Sequence, residues 1–163
     1  MKTIAVLIWL KVIVMILAVL VVLYLLMIMP RLTNRRERKK FLNVYYAHRG
    51  LHDNETDAPE NSMSAFHRAV EAGYGIELDV QVTKDKIPVV FHDFTLQRVC
   101  GQEGKVCDYT YEELQKFRLC KSSETIPLFE DVLKLVAGKV PLIVELKVEF
   151  TDLSVCEKAD ALL

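Results

Sequence analysis

Residues 74–83 read YGIELDVQVT and alternate without a break: Ile76, Leu78, Val80 and Val82 fall on one side of an extended chain, Glu77, Asp79, Gln81 and Thr83 on the other. One face therefore demands an apolar cover, and the other gathers two acids. The pattern recurs at Val140–Val148, where Leu142, Val144, Leu146 and Val148 oppose Ile143, Glu145 and Lys147. Upstream, Asn43–Ala47 is short, aromatic and β-branched, which suits a first buried strand ending at His48-Arg49-Gly50. Downstream, Lys84-Asp85-Lys86 makes a turn and Ile87–Phe91 returns as an extended segment that delivers His92-Asp93.

Between the strands lie helical signals. After the polar loop Leu51–Glu60, Asn61 or Ser62 can cap a helix whose apolar positions Met63, Phe66, Ala69 and Val70 share a face, with Gly73 closing it. His67 on that helix reads as a surface residue. Gly101–Tyr109 reads as loop and Tyr111–Phe117 as a short helix. Ile126-Pro127 introduces a helix from about Leu128 to Val136, with Phe129, Val132, Leu133 and Val136 on one side and Gly138 as its stop.

Strands alternating with helices predict parallel βα units, and strands with apolar outward and polar inward faces predict a barrel wrapped by helices. A complete TIM (β/α)8 barrel needs about 250 residues, whereas residues 44–163 supply 120. The expectation is an α/β fold: a TIM (β/α)8 barrel present only as an N-terminal fragment, preceded by one transmembrane helix. The chain also stops at Leu163 within a helical stretch that begins near Asp152 and has no terminating glycine or proline. The alternative, a small complete α/β domain, would leave an edge of the third strand uncovered.

From Ile4 to Met29 the only charge is Lys11, and Val12–Met29 is a run of 18 apolar residues, enough for a helix to cross a bilayer core of about 30 Å. A signal peptide would usually have a shorter apolar core of about 7 to 15 residues, and no small-x-small cleavage site precedes Pro30. Arg31, Arg35, Arg36, Arg38, Lys39 and Lys40 crowd one flank against Lys2 and Lys11 at the other. That bias predicts a single-pass protein of the cell membrane, anchored through residues 4–29, with its globular part in the cytoplasm. The domain expectation is thus an anchor at 1–30, a basic juxtamembrane linker at 31–43 and the barrel part at 44–163. Residues 1–43 carry 8 basic and 1 acidic side chains, and residues 44–163 carry 13 basic and 21 acidic. A basic strip beside an apolar span suits anionic headgroups, while the acidic body argues against nucleic-acid binding. Cys100, Cys107, Cys120 and Cys156 form no CxxC pair and read as reduced thiols. The sequence points to no protein partner.

The polar faces carry the chemistry. Glu77, Asp79 and Glu145 are hard oxygen donors on inward faces, suited to one divalent cation, Mg²⁺ or Ca²⁺, and unsuited to a thiolate metal. Close carboxylates repel one another, and a cation among them removes that cost. Arg49 and Lys147 add positive donors around the same space, pointing to an anionic ligand such as phosphate. His48 and His92, on different strands, could divide proton removal and proton donation between them. Asp93 is expected to orient His92, and Glu60 and Asn61 to stand behind the site, although helix capping would explain Asn61 equally well.

The motifs HRG at 48–50, PENSMSAF at 59–66, ELDVQVTKD at 77–85, VVFHD at 89–93 and ELK at 145–147 resemble those of the glycerophosphodiester phosphodiesterase family over roughly residues 44–150, the first half of that family's catalytic domain. The resemblance implies His48 and His92 as the acid/base pair, Glu77, Asp79 and Glu145 as metal ligands, and Arg49 and Lys147 as phosphate contacts. The activity implied is metal-dependent hydrolysis of a glycerophosphodiester to an alcohol and glycerol 3-phosphate, with either water or the substrate's own glycerol hydroxyl as nucleophile. A lysophospholipase D-like phosphodiesterase acting on lysophospholipids and a non-catalytic membrane-anchored metal-binding protein are the alternatives. The chain ends before the later strands that complete the family's pocket, so the chain as given need not be active by itself.

Overall fold

A computed structural model describes residues 2–29, 38–148 and 152–163. Arg31, Arg35 and Arg36 of the basic linker lie outside the described residues. The chain divides into two compact units, Met1–Lys40 and Phe41–Leu163. In the first, α1 (Lys2–Ile28) is one uninterrupted helix. Its stretch Val6–Ile28 is, by length and composition, long and apolar enough to cross a membrane.

In the second unit, strands β1 (Tyr46–His48), β2 (Gly75–Val82), β3 (Pro88–Val90) and β4 (Leu142–Leu146) form one sheet. β2 is its centre. β4 runs parallel along one edge of β2, with Asp79 in register with Glu145 and Ile76 with Leu142. The other edge is shared: β1 pairs in parallel with the first part of β2, Tyr46 opposite Gly75 and His48 opposite Glu77. β3 pairs antiparallel with the last part, Val80 opposite Val90 and Val82 opposite Pro88. The three principal strands are thus parallel as the βα pattern expects, while the return segment Ile87–Phe91 is an antiparallel hairpin arm and not a further barrel strand.

That shared edge determines where the chemistry lies. β1 and β3 approach from opposite ends and both stop near the middle of β2, so the residues just after each, His48-Arg49 and His92-Asp93, arrive beside Glu77 and Asp79. Two backbone bonds fix the arrival, Arg49 N–H to Glu77 O at 2.9 Å and Phe91 N–H to Asp79 O at 2.9 Å.

The apolar face of β2 is covered as its alternation requires. Ile76, Leu78 and Val80 are fully buried against Phe66 and Ala69 of α2 (Met63–Glu71), which has Ser62 as its N-cap, with Ser62 Oγ accepting from Ala65 N–H at 3.1 Å. The segment between β3 and the next long helix holds α3 (Gln97–Cys100), a 3₁₀ turn (Val106–Asp108) and α4 (Tyr111–Leu114). Gly101–Tyr109 is the expected loop apart from the 3₁₀ turn, α3 precedes it unforeseen, and α4 stops earlier than the expected Phe117. These short elements fold around a second apolar cluster of Val89, Phe91, Leu96, Val99, Val106, Leu114, Leu119 and Ile126. α5 (Phe129–Val136) and α6 (Ser154–Asp160) return to the first cluster through Phe129, Val132 and Val136 and through Val155 and Ala159. The helix that begins near Asp152 ends at Asp160, with Ala161 as its C-cap.

Candidate active site

His48 leaves β1 at a turn that its neighbours make possible. Arg49 and Gly50 both adopt positive φ, 58° and 84°. A Cβ on Gly50 would come within 2.9 Å of the Ala65 Cβ, so the third position of the HRG motif must lack a side chain. The turn points the Arg49 N–H at the Glu77 carboxylate as well, 3.2 Å from Oε2. His48 Nε2 stands 3.8 Å from the same oxygen, and its ring is largely exposed.

Glu77, Asp79 and Glu145 each offer a carboxylate oxygen, and the three atoms lie within 4.8 Å of one another. Glu77 and Asp79 are two residues apart on one strand face, and Asp79 and Glu145 are cross-strand partners, so adjacency follows from register alone. Their environments differ: Asp79 is fully buried, Glu77 intermediate and Glu145 exposed. The expected inward placement of Glu145 is therefore only half realised, because the β4 face carrying Ile143 and Glu145 is open to solvent.

The cations sit on this cluster. Lys147 Nζ is 2.7 Å from Glu145 Oε1 and 3.1 Å from Asp79 Oδ1. Burial alone would lower the Lys147 amine, but the contacts with Glu145 and then Asp79 outweigh it and hold it above its ordinary value. Arg49 spreads its guanidinium between Glu60 Oε1 at 3.0 Å and Asp79 Oδ2 at 3.8 Å. Both cations expected to meet phosphate are thus turned onto carboxylates.

Asn61, the residue with two candidate roles, does not cap α2; Ser62 does. Asn61 takes a positive φ of 54° and donates Nδ2–H to Asp79 Oδ2 at 3.1 Å. Asparagine tolerates that backbone conformation better than most residues. Asn61 Oδ1 and Asp79 Oδ1 are buried acceptors with unfilled hydrogen-bonding capacity, Asp79 Oδ1 facing the Lys147 ammonium at 3.1 Å. Buried polar atoms of this kind are rare and call for a partner such as an ion or an ordered water.

On the other side, His92 Nδ1 lies 2.6 Å from Asp93 Oδ1. Two residues that sequence reasoning missed fix this pair. Gln81 is buried and donates to the carbonyl oxygens of Phe91 and Asp93, at 2.7 Å each, holding the backbone on both sides of His92. Its place on the face of Glu77 and Asp79 was the signal. Arg98 binds both Asp93 and Glu60, and nothing in its spacing announced it. The Arg98 bond holds the Asp93 carboxyl down at about 2 against the opposing effect of burial, with His92 adding to the lowering. Burial would raise Glu60, but bonds from Arg98 and Asn54 and the charges of Arg98 and Arg49 hold it at about 2.

Five carboxylates (Glu60, Glu77, Asp79, Asp93, Glu145) therefore meet three permanent cations (Arg49, Arg98, Lys147), an excess of two negative charges before either imidazole is protonated. A divalent ion matches that excess, and all-oxygen donors with an unfilled buried acceptor suit a hard one. Elsewhere, His67 is exposed and pairs with Glu71 of its own helix, at 3.4 Å. Cys100, Cys107, Cys120 and Cys156 form no disulfide.

Residues 48–162 match the model of the Glycerophosphoryl diester phosphodiesterase family. A glycerophosphodiester phosphodiesterase of Bacillus altitudinis is 42% identical over 111 residues, 64% of this chain and 44% of that protein. Glycerophosphodiester phosphodiesterase 1 of Homo sapiens is 44% identical over 71 residues, 43% of this chain and 20% of that protein. Among solved structures, an Oleispira antarctica phosphodiesterase in complex with the product sn-glycerol-3-phosphate aligns with a TM-score of 0.68 at 28% identity, over 77% of this chain and 53% of its own. A glycerophosphoryl diester phosphodiesterase from Parabacteroides distasonis aligns with a TM-score of 0.62 at 36% identity, over 73% of this chain and 41% of its own. The chain spans about half, or less, of the length of these proteins. The structural likenesses imply a TIM barrel fold, of which the open four-stranded sheet described above is a part.

Proposed function

Given that the chain belongs to the glycerophosphoryl diester phosphodiesterase family, we propose that it serves metal-dependent hydrolysis of glycerophosphodiesters to an alcohol and glycerol 3-phosphate, residues 44–163 being the first part of the barrel domain and residues 4–29 its membrane anchor. The observation that carries this reading is the meeting of three carboxylate oxygens within 4.8 Å, with His48 Nε2 at 3.8 Å from one of those carboxylates. The product bound by the Oleispira antarctica phosphodiesterase, sn-glycerol-3-phosphate, supports the same substrate class.

Glu77, Asp79 and Glu145 hold the divalent cation, Mg²⁺ or Ca²⁺. When bound, that ion supplies Lewis acidity toward the phosphoryl oxygens. The remaining work falls to side chains of this chain. Arg49 and Lys147 trade part of their carboxylate contacts for the substrate phosphate. The exposed His48 ring removes, at Nε2, the proton of the nucleophile, which is either water, giving glycerol 3-phosphate directly, or the substrate's glycerol hydroxyl, giving a cyclic phosphate that water then opens to glycerol 3-phosphate. His92, with Nδ1 engaged by Asp93, gives a proton from Nε2 to the departing alcohol. The anchor keeps the chain at the bilayer that sheds glycerophosphodiesters, and the surplus of basic residues in 31–43 assigns the globular part to the cytoplasmic side.

The test measures glycerol 3-phosphate release from glycerophosphocholine, glycerophosphoethanolamine and a lysophospholipid, with and without Mg²⁺ or Ca²⁺, and glycerol 3-phosphate binding in parallel. Ion-dependent release from the first two is expected, and His48→Ala should lower it by orders of magnitude while sparing ion binding. An unchanged rate removes His48 from the reaction. Turnover only of acyl-bearing substrates, or no ion-dependent release or binding at all, overturns the assignment.

A further inference from the structure

Arg98 lies outside every motif that the sequence singled out, yet it joins both halves of the site. It stands on the short helix α3, whose place is set by burial of Val99 and by the Cys120 N–H bond to Val99 O at 2.7 Å. Its guanidinium uses three nitrogens. Nε meets Asp93 Oδ2 at 2.6 Å and Nη2 meets Asp93 Oδ1 at 3.0 Å, a fork that occupies both oxygens of one carboxylate. Nη1 meets Glu60 Oε2 at 2.9 Å and Nη2 meets Glu60 Oε1 at 2.5 Å, a second fork on the other side. Glu60 Oε1 in turn accepts from Arg49 Nη1, and Asp93 Oδ1 faces His92 Nδ1. The result is an unbroken ladder, Arg49–Glu60–Arg98–Asp93–His92, crossing from the loop before α2 to the loop after β3.

We propose that Arg98 is a positioning residue that fixes the tautomer and orientation of His92 by clamping Asp93 from both oxygens. The inference rests on the role assigned to His92 above. An ionised carboxylate only accepts, so the nitrogen 2.6 Å from Asp93 Oδ1 must carry the proton, and Nε2 is the ring nitrogen left for substrate. Without the fork, the Asp93 carboxylate is free to turn about its own χ angles, and His92 loses the partner that selects Nδ1–H. The planar, bidentate geometry is one that lysine cannot reproduce, because a single ammonium reaches one carboxylate fork at a time. A residue that merely stapled two loops would lend stability and leave the imidazole unaffected.

The experiment records ¹⁵N–¹H correlations of the histidine side chains in the whole chain, held in detergent micelles, for wild type, Arg98→Ala and Arg98→Lys, with His92 assigned by His92→Gln. Wild type should show the neutral His92 ring locked with its proton on Nδ1. Arg98→Ala should give shifts averaged between the two tautomers, and Arg98→Lys should recover only part of the wild-type pattern. In parallel, hydrolysis of glycerophosphocholine should show kcat reduced on the order of 10- to 100-fold in Arg98→Ala with KM changed far less. If Arg98→Ala fails to fold, Arg98→Lys and Arg98→Gln carry the test. An unaltered His92 tautomer in any folded Arg98 variant overturns the proposal. The tautomer is read without turnover, so absence of hydrolysis in wild type leaves this result decisive for Arg98.

Discussion

Glu60→Gln removes one charge from the ladder and keeps its shape, and the structure fixes what that should cost. Glu60 is nearly inaccessible to solvent and accepts from Arg98, Arg49 and Asn54. Its carboxyl is held from an ordinary 4.5 down to about 2, which corresponds to about 3 kcal/mol of stability. A depressed carboxylate stabilises fully above its unfolded value and loses that contribution as pH falls toward the folded one. The wild-type advantage over Glu60→Gln should therefore be about 3 kcal/mol at pH 7 and shrink toward zero between pH 4.5 and pH 2. Asp93, lowered from 3.8 to about 2, retains its own acid-sensitive contribution in the variant, so the slope should be reduced and not abolished. The two share Arg98, and their effects should not add. The assay is urea unfolding of the chain in micelles followed by near-ultraviolet circular dichroism of the tyrosines, since the sole tryptophan, Trp9, belongs to α1. A wild-type advantage that stays constant from pH 7 to pH 2.5, or none at pH 7, would refute the reasoning.

Leu78→Ala should cost about 2 to 5 kcal/mol in the same unfolding assay, because Leu78 is fully buried at the centre of the first apolar cluster; a loss under about 1 kcal/mol would show that the cover over β2 is looser than described. Burial, with the nearby Cys120, pushes the Cys100 thiol up to about 12. Iodoacetamide at pH 8 should accordingly modify the exposed Cys107 well before Cys100, and peptide mapping showing equal rates in the folded chain would contradict that placement.

Much of this architecture was legible because period-two alternation is a local property. The run at 74–83 told which side chains share a face, and its repeat at 140–148 placed Glu145 with Glu77 and Asp79 once the strands paired in register. The direction of β3 was less legible, because an extended segment after a three-residue turn reads the same whether it closes a hairpin or begins a new unit. Of the short elements between Phe91 and Ile126, the helix starting at Tyr111 was legible, whereas α3 and the 3₁₀ turn escaped notice for a related reason: elements of three or four residues have no period to detect, and their order comes from the second apolar cluster. Asn61 was ambiguous because one polar residue before a helix suits a cap and a site equally; Ser62 took the cap and left Asn61 for Asp79. Arg98 could not be found from spacing, since its partners lie 5 and 38 residues away and only the folded loops bring them together.

Titration of the chain with Mn²⁺, followed by electron paramagnetic resonance of the free ion, tests most directly whether Glu77, Asp79 and Glu145 form one cation site. Wild type should bind a single ion per chain, displaceable by Mg²⁺ or Ca²⁺, and Glu77→Gln, Asp79→Asn and Glu145→Gln should each weaken it by about tenfold or more. Binding that is equally tight in wild type and all three variants, or no stoichiometric site in the folded wild-type chain, would contradict it.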